Sequence, residues 1–143
     1  MTIEAWLVDY LTSDATVRGI VGTRIFEEIV PNDQIYPAIT YTIIGGDKEA
    51  MSMLNPNGQI TNRMQVSVWA TTGVARRTLA DAVSLRMDGY RGNWKGKEIQ
   101  GVFPEGEINA FEPAATNETQ RLYGKHLDFE ITHVVNVQQF AQE

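Results

Sequence analysis

Three side chains late in the sequence have the types that bind metal ions. His126, Asp128 and Glu130 stand at alternate positions, so on a β-strand all three would project from one face and could approach the same cation. Same-face neighbours on one strand lie about 7 Å apart, so three ligands from a single strand converge poorly on one ion. The solvated outer face of a half-buried sheet explains the pattern without a ligand, and we predict no metal site.

The other candidates for chemistry are also weak. His133 shares a face with Phe129 and Ile131, near the end of the same predicted strand, which favours an edge or interface position over catalysis. The sequence contains no Gly-x-Ser-x-Gly elbow, no His-Glu-x-x-His pair and no phosphate-binding glycine loop. The adjacent carboxylates Glu27 and Glu28 would project to opposite faces of a strand. We therefore predict neither catalytic residues nor a cofactor site.

Hydrophobic periodicity predicts the elements that carry these side chains. Apolar residues recur at helical spacing in three segments and alternate at strand spacing in five. The predicted helices are residues 2–12, a short second turn that Gly22 closes, and a helix from Val74 that Gly89 ends. The predicted strands are 24–30, 38–44, 63–70, 97–112 with a bulge near Pro104 to Gly106, and 121–135, with a turn or short hairpin at 91–96.

The order of these elements predicts an α+β fold. Successive strands joined by short turns favour a mainly antiparallel sheet, and helices packed on one face complete a two-layer sandwich. The even-numbered residues of the strand 63–70 are apolar and should face the core. That leaves Ser67 and Trp69 on an outer or interface face. On the first helix, Asp9 falls on the solvated stripe.

Two segments follow neither period. Residues 46–61 form a predicted long loop, and residues 137–143 a flexible carboxyl-terminal tail. A connection of about 14 residues without regular structure is usually functional or mobile. Its Met51, Met53 and Leu54 are our candidate partner contacts, because flexible thioether side chains adapt to imperfect surfaces. The alternative is that this segment is an extended hairpin arm whose tip carries methionines. Residues 1–143 as a whole are predicted to form one domain.

Composition excludes several classes of protein. The chain of 143 residues has a formal net charge of -6, which repels phosphate backbones and argues against broad nucleic-acid binding. It has no cysteine, so disulfide frameworks and thiolate metal sites are excluded. Its apolar runs are far shorter than the roughly 20 residues of a membrane helix, and the amino terminus lacks the pattern of a signal peptide. We expect a cytoplasmic protein without membrane contact.

Several short segments resemble one protein family in their order and spacing. The resemblance covers most of the chain, from about Ile3 to Val135, and is weakest in residues 47–62 and 113–120. The segments that carry the resemblance are Asp14–Gly22, Arg24–Phe26, Tyr36–Tyr41, Gln65–Ala70, Leu79–Val83 and Leu127–Phe129. They resemble the tail-completion proteins of long-tailed phages and prophages, also described as tail-terminator or head-tail joining proteins.

The resemblance implies a structural, non-enzymatic α+β subunit. Such subunits would form a ring, expected to be a hexamer, that caps the head-proximal end of the tail tube, ends tube polymerisation and provides the surface that joins the head. The implied partners are further copies of the chain, the tail tube protein and the head-tail connector proteins. DNA passing through the ring would be the one nucleic-acid contact. The chain would assemble in the host cytoplasm and remain in the virion.

Two other functions fit the same residues. One is another neck or minor tail protein, or a head-tail adaptor of similar fold. The other belongs to a different class, a small enzyme or ligand-binding module with a pocket between sheet and helices. A ring in solution favours the structural function, whereas a monomer that holds a small molecule favours the other.

Overall fold

The computed structural model describes residues 1–32, 34–46, 58–112 and 122–134. These residues form three helices and six strands. In chain order they are α1 (Ile3–Thr12), α2 (Ala15–Val21), β1 (Ile25–Glu27), β2 (Ala38–Gly46), β3 (Gln59–Ala70), α3 (Gly73–Met87), β4 (Gly92–Trp94), β5 (Lys97–Glu112) and β6 (Leu122–Val134). None of the described helices is long and apolar enough to cross a membrane.

The six strands belong to one sheet in the order β1-β2-β3-β6-β5-β4. Neighbouring strands are antiparallel except β1 and β2, which run parallel with Ile25 beside Ile39. The predicted α+β class with a mainly antiparallel sheet is therefore confirmed. The predicted bulge in β5 is confirmed as well, because the register against β6 shifts between Pro104 and Gly106.

The hydrophobic core lies between the helices and one face of the sheet. As predicted, Met64, Val66, Val68 and Ala70 of β3 are completely buried, and α3 packs across β3 and β6. Burying one large apolar side chain contributes about 1.5–3 kcal/mol relative to leaving it in water. The buried stripe of α1 joins the same core through Ile3, Trp6, Leu7, Tyr10 and Leu11.

Each helix begins at a side chain that caps its first turn. The side-chain oxygens of Thr2, Asp14 and Thr72 accept hydrogen bonds from backbone N–H groups three residues later, at 3.1, 3.0 and 3.1 Å. These bonds satisfy amides that have no partner within the helix. The two short helices and α3 therefore begin where the sequence places its cap residues.

The contacts of Asp9 correct one prediction. Asp9 is only partly solvated, because its Oδ2 accepts hydrogen bonds from Nε1 of Trp94 at 2.7 Å and pairs with Nζ of Lys95 at 2.9 Å. The Trp94 bond, followed by the Lys95 bond, holds the pKa of Asp9 below its usual value. Since Trp94 and Lys95 lie in the β4–β5 hairpin, Asp9 fixes α1 to the far edge of the sheet.

Several element bounds also differ from the sequence prediction. β1 has three residues rather than seven, because Glu28 adopts a positive φ of 67° and leaves the strand. The predicted loop is shorter at both ends, since Gly46 belongs to β2 and residues 59–61 belong to β3. Residues 47–57 and the predicted tail lie outside the described residues. The turn at 91–96 is a hairpin, in which β4 pairs with β5.

Candidate functional site

The sheet face opposite the helices carries a serine and a histidine in direct contact. Ser67 and His126 face each other across β3 and β6, with Oγ and Nδ1 2.6 Å apart. That distance suits a nucleophile and a base, but Ser67 is buried and no described carboxylate is hydrogen-bonded to His126. A substrate could not reach the hydroxyl. The pair therefore stabilises the outer face of the sheet.

Asp128 and Glu130 have separate partners on the same face. Asp128 accepts a hydrogen bond from Nε2 of Gln65 at 3.2 Å and lies 3.5 Å from Nη2 of Arg63. A hydrogen bond with Glu105 raises the pKa of Glu130. The three alternating side chains thus project from the outer face, as predicted. Among the described residues no group of three or more acidic or histidine side chains is placed to hold a metal ion.

Trp69 also lies on the outer face, where it contacts Gly124 of the neighbouring strand. Nε1 of Trp69 donates a hydrogen bond to Oγ1 of Thr40 at 3.1 Å, and the indole meets the His126 ring edge-on at 5.7 Å between centroids. A β-carbon built on Gly124 would lie 2.5 Å from the indole. β6 therefore needs glycine at this position for the tryptophan to lie flat across the strand.

Substituting this glycine gives a testable result. Gly124→Ala is expected to lower the free energy of unfolding by about 1–3 kcal/mol, because the new methyl group forces Trp69 from its place. Gly106→Ala in β5 is the matched control, since its β-carbon would meet no atom within 4 Å, and its effect should stay within about 0.5 kcal/mol. Urea unfolding followed by tryptophan fluorescence measures both, and equal losses would contradict the packing argument.

The position of His133 contradicts the expected edge or interface location. β6 lies between β3 and β5 in the interior of the sheet, and His133 is 2% exposed. Its Nε2 lies 2.6 Å from Oδ1 of Asn62, while its Nδ1 is buried without a hydrogen-bond partner among the described residues. Burial first, and the nearby charge of Lys97 second, lower the pKa of His133 to about 3. The imidazole is therefore neutral, which makes it a structural residue.

Four of the exposed apolar side chains lie on two strands near opposite sides of the sheet. On β5, Phe103 is 54% and Ile108 is 67% exposed, and on β2, Ile43 is 41% and Ile44 is 44% exposed. Exposed apolar side chains that cluster on a strand edge mark an interaction surface or an aggregation hazard. These positions were not among the predicted contacts, because alternation along a strand identifies its faces but not its neighbours.

An open cleft of about 300 Å³ lies beside β5, between the strand and the carboxyl-terminal end of α3. Leu127 and Phe129 form part of its lining, and Asp88 and Glu107 bring negative charge to it. Burial, and then repulsion by Glu107, raise the pKa of Asp88. Glu107 is paired with Nζ of Lys125 at 3.1 Å. The side of β5 that faces the helices is therefore acidic.

The predicted partner contacts Met51, Met53 and Leu54 lie outside the described residues. They remain predictions from the sequence. In the described residues, exposed apolar side chains instead lie on β2 and β5. No catalytic constellation accompanies them in the described residues.

Comparisons with known proteins agree with this arrangement. A chain from the structure titled "Virion of native gene transfer agent (GTA) particle" has the same fold, with a TM-score of 0.69 and 15% sequence identity over 93% of this chain and 95% of that chain. No curated protein matches the sequence at a significant level. The sequence matches the family described as Tail completion protein gp17 over residues 5–131. The chain therefore belongs to the tail completion protein gp17 family, and is a structural, non-enzymatic component of the phage tail.

Proposed function

We propose that copies of this chain form a ring on the head-proximal end of the tail tube. The ring ends the addition of tube subunits and presents the surface to which the head binds. Its partners are the neighbouring copies, the tail tube protein and the head-tail connector proteins. The family match over residues 5–131 carries the proposal, and six copies are expected because the sequence resembles tail terminators that act as hexamers.

Features of the folded chain support a role in assembly. The described residues include a mixed sheet with exposed apolar side chains on β2 and β5. Ser67 and His126 are hydrogen-bonded to each other, and Asp128 accepts a hydrogen bond from Gln65. A heterologous contact between two different surfaces closes into a ring when the rotation between copies is suitable. Contacts between copies are thus a more natural use of these surfaces than the binding of a small molecule.

The charge of the chain suits a ring through which DNA passes. The formal net charge is -6, so a ring of several copies repels the phosphate backbone rather than binding it. DNA could then move through the ring without being held there. The partner contacts proposed from the sequence remain Met51, Met53 and Leu54, because flexible thioether side chains adapt to imperfect surfaces.

Labelling tests the proposed position. Because the chain has no cysteine, Thr78→Cys on the exposed side of α3 supplies a single thiol for a maleimide gold particle. In tails purified before head joining, we expect gold only at the end that binds added heads. Gold along the tube would contradict the proposal, and gold at the opposite tip would favour a minor tail protein instead. Unlabelled wild-type tails control for nonspecific gold.

A further inference from the structure

The outer edge of β5 lacks a strand partner over most of its length in the described residues. β4 pairs only with Lys97 to Ile99, and the carbonyl of Val102 accepts the N–H of Gly89 at 2.9 Å. From residue 103 to residue 109 every side chain is exposed. An uncovered strand edge is a template for pairing with another strand. Phe103 and Ile108 add exposed apolar area to this edge.

The opposite side of the sheet has a second uncovered edge, on β2. β1 pairs only with Ile39 to Tyr41, and the N–H of Glu28 extends this cover by one bond to the carbonyl of Tyr41. Residues 42–45 have no strand on that side in the described part of the chain. Their side chains include the exposed Ile43 and Ile44. Residues 42–45 themselves include no charged side chain.

The directions of the two edge strands favour contact between copies. β2 is antiparallel to β3, β3 to β6, and β6 to β5, so β2 and β5 run in opposite directions. A rotation about a ring axis that runs along the strands leaves those directions unchanged. β5 of one copy then meets β2 of the next as an antiparallel pair, the commoner kind of pairing.

We propose that the uncovered edge of β5 in one copy pairs with the uncovered edge of β2 in the next, so that the sheets continue around the ring. The proposal rests on the ring function proposed above and identifies the surfaces that build it. The occupant of each edge is a second copy of this chain. Both edges belong to one chain on opposite sides of its sheet, so neither can cover the other within a single copy.

Charge selects this head-to-tail contact over a symmetric one. The β5 edge carries the exposed carboxylates Glu105 and Glu107. Glu107 is paired with Lys125, whereas Glu105 lies against a second carboxylate, that of Glu130. Two β5 edges brought together would add the Glu105 carboxylates of both copies to one contact, and like charges destabilise a strand pair. Residues 42–45 of β2, which include no charged side chain, meet β5 without that repulsion. Pairing between the two unlike edges also leaves neither the β2 edge nor the β5 edge free in any copy once the ring closes.

Cross-linking in assembled tails tests the proposal. Since the chain has no cysteine, the double variant Thr42→Cys/Phe103→Cys carries one thiol on each edge, and both lie on the outer face of the sheet. Within one chain β2 and β5 are three strand spacings apart, about 14 Å. A bifunctional maleimide with a shorter arm therefore joins these thiols only between copies. We expect a ladder of covalent oligomers up to the full ring on a denaturing gel, whereas each single variant stays monomeric.

Matched variants make each outcome informative. Thr42→Cys/Thr78→Cys, with its second thiol on the exposed side of α3, should give no ladder. Thr42→Cys/Ile108→Cys, whose thiols also share the outer face, replaces the first pair if that variant does not assemble. Dimers from Ile108→Cys alone would overturn the proposal in favour of a symmetric β5 contact. Joined tails without a ladder from either edge pair would also overturn it, while leaving the position and function of the chain intact.

Discussion

Replacing Trp6 with alanine is expected to lower the free energy of unfolding by about 3–5 kcal/mol. Trp6 is completely buried and stacks on Tyr10 at 4.9 Å and on Tyr90 at 6.1 Å between ring centroids. It therefore joins α1 to the segment that follows α3. The loss is a large part of the roughly 5–15 kcal/mol that stabilises a typical domain. Urea unfolding monitored by circular dichroism measures it.

Two further variants separate packing from hydrogen bonding at this site. Nε1 of Trp6 is buried without a hydrogen-bond partner among the described residues, and such a donor costs about 1–3 kcal/mol. Trp6→Phe removes that donor but keeps a ring, so its loss should be less than half that of Trp6→Ala. Leu85→Ala is the surface control, because Leu85 is 86% exposed. A loss from Leu85→Ala as large as that from Trp6→Ala would contradict the assigned core.

Lowering the pH from 7 to 4 is expected to cost the fold about 3 kcal/mol through His133 alone. Its pKa is about 3 in the folded chain and 6.5 as the ordinary value, so the unfolded chain binds the proton first. This stabilisation is complete above pH 6.5 and falls by about 1.4 kcal/mol per pH unit until the pH approaches 3. Burial is the main cause, with the charge of Lys97 second.

Substituting His133 separates its contribution to the pH dependence of the free energy of unfolding from the contributions of other titrating groups. In His133→Gln the free energy of unfolding should fall less steeply between pH 6.5 and 4, whatever its value at pH 7. The slopes of unfolding free energy against pH in wild type and in His133→Gln should differ by about 1.4 kcal/mol per pH unit, which corresponds to one proton. Leu85→Ala changes an exposed side chain that does not titrate, and should keep the wild-type slope. Carboxylates such as Asp9 are present in all three proteins, so their contributions cancel when the slopes are compared. Equal slopes in wild type and His133→Gln would contradict the neutral, buried imidazole.

Local periodicity was sufficient to predict most of the elements. The buried stripe of α1, the alternation of β3 and the bulge in β5 follow from apolar spacing and from Pro104 with Gly106. These features depend on residues close in sequence. The order of the strands depends on long-range pairing, which periodicity does not encode. For that reason His133 was assigned to an edge although β6 lies inside the sheet.

The exposed apolar positions on β5 were harder to predict from the sequence. Phe103 and Ile108 occupy a strand pattern like that of any other predicted strand, and within the described residues the shortness of β4 leaves their edge without a strand partner. The hydrogen bond between Trp94 and Asp9 joins residues far apart in the chain, and no sequence motif predicts it. By contrast, the family resemblance carried by the ordered segments from Asp14 to Phe129 is confirmed by the match over residues 5–131.

Tail length in particles made without the chain tests the central claim most directly. If copies of the chain cap the head-proximal end, electron microscopy should show overlong or irregular tubes, or tails that do not join heads. Supplying the wild-type chain in trans should restore joined tails of uniform length. Tails of normal length joined to heads in the absence of the chain would contradict the account.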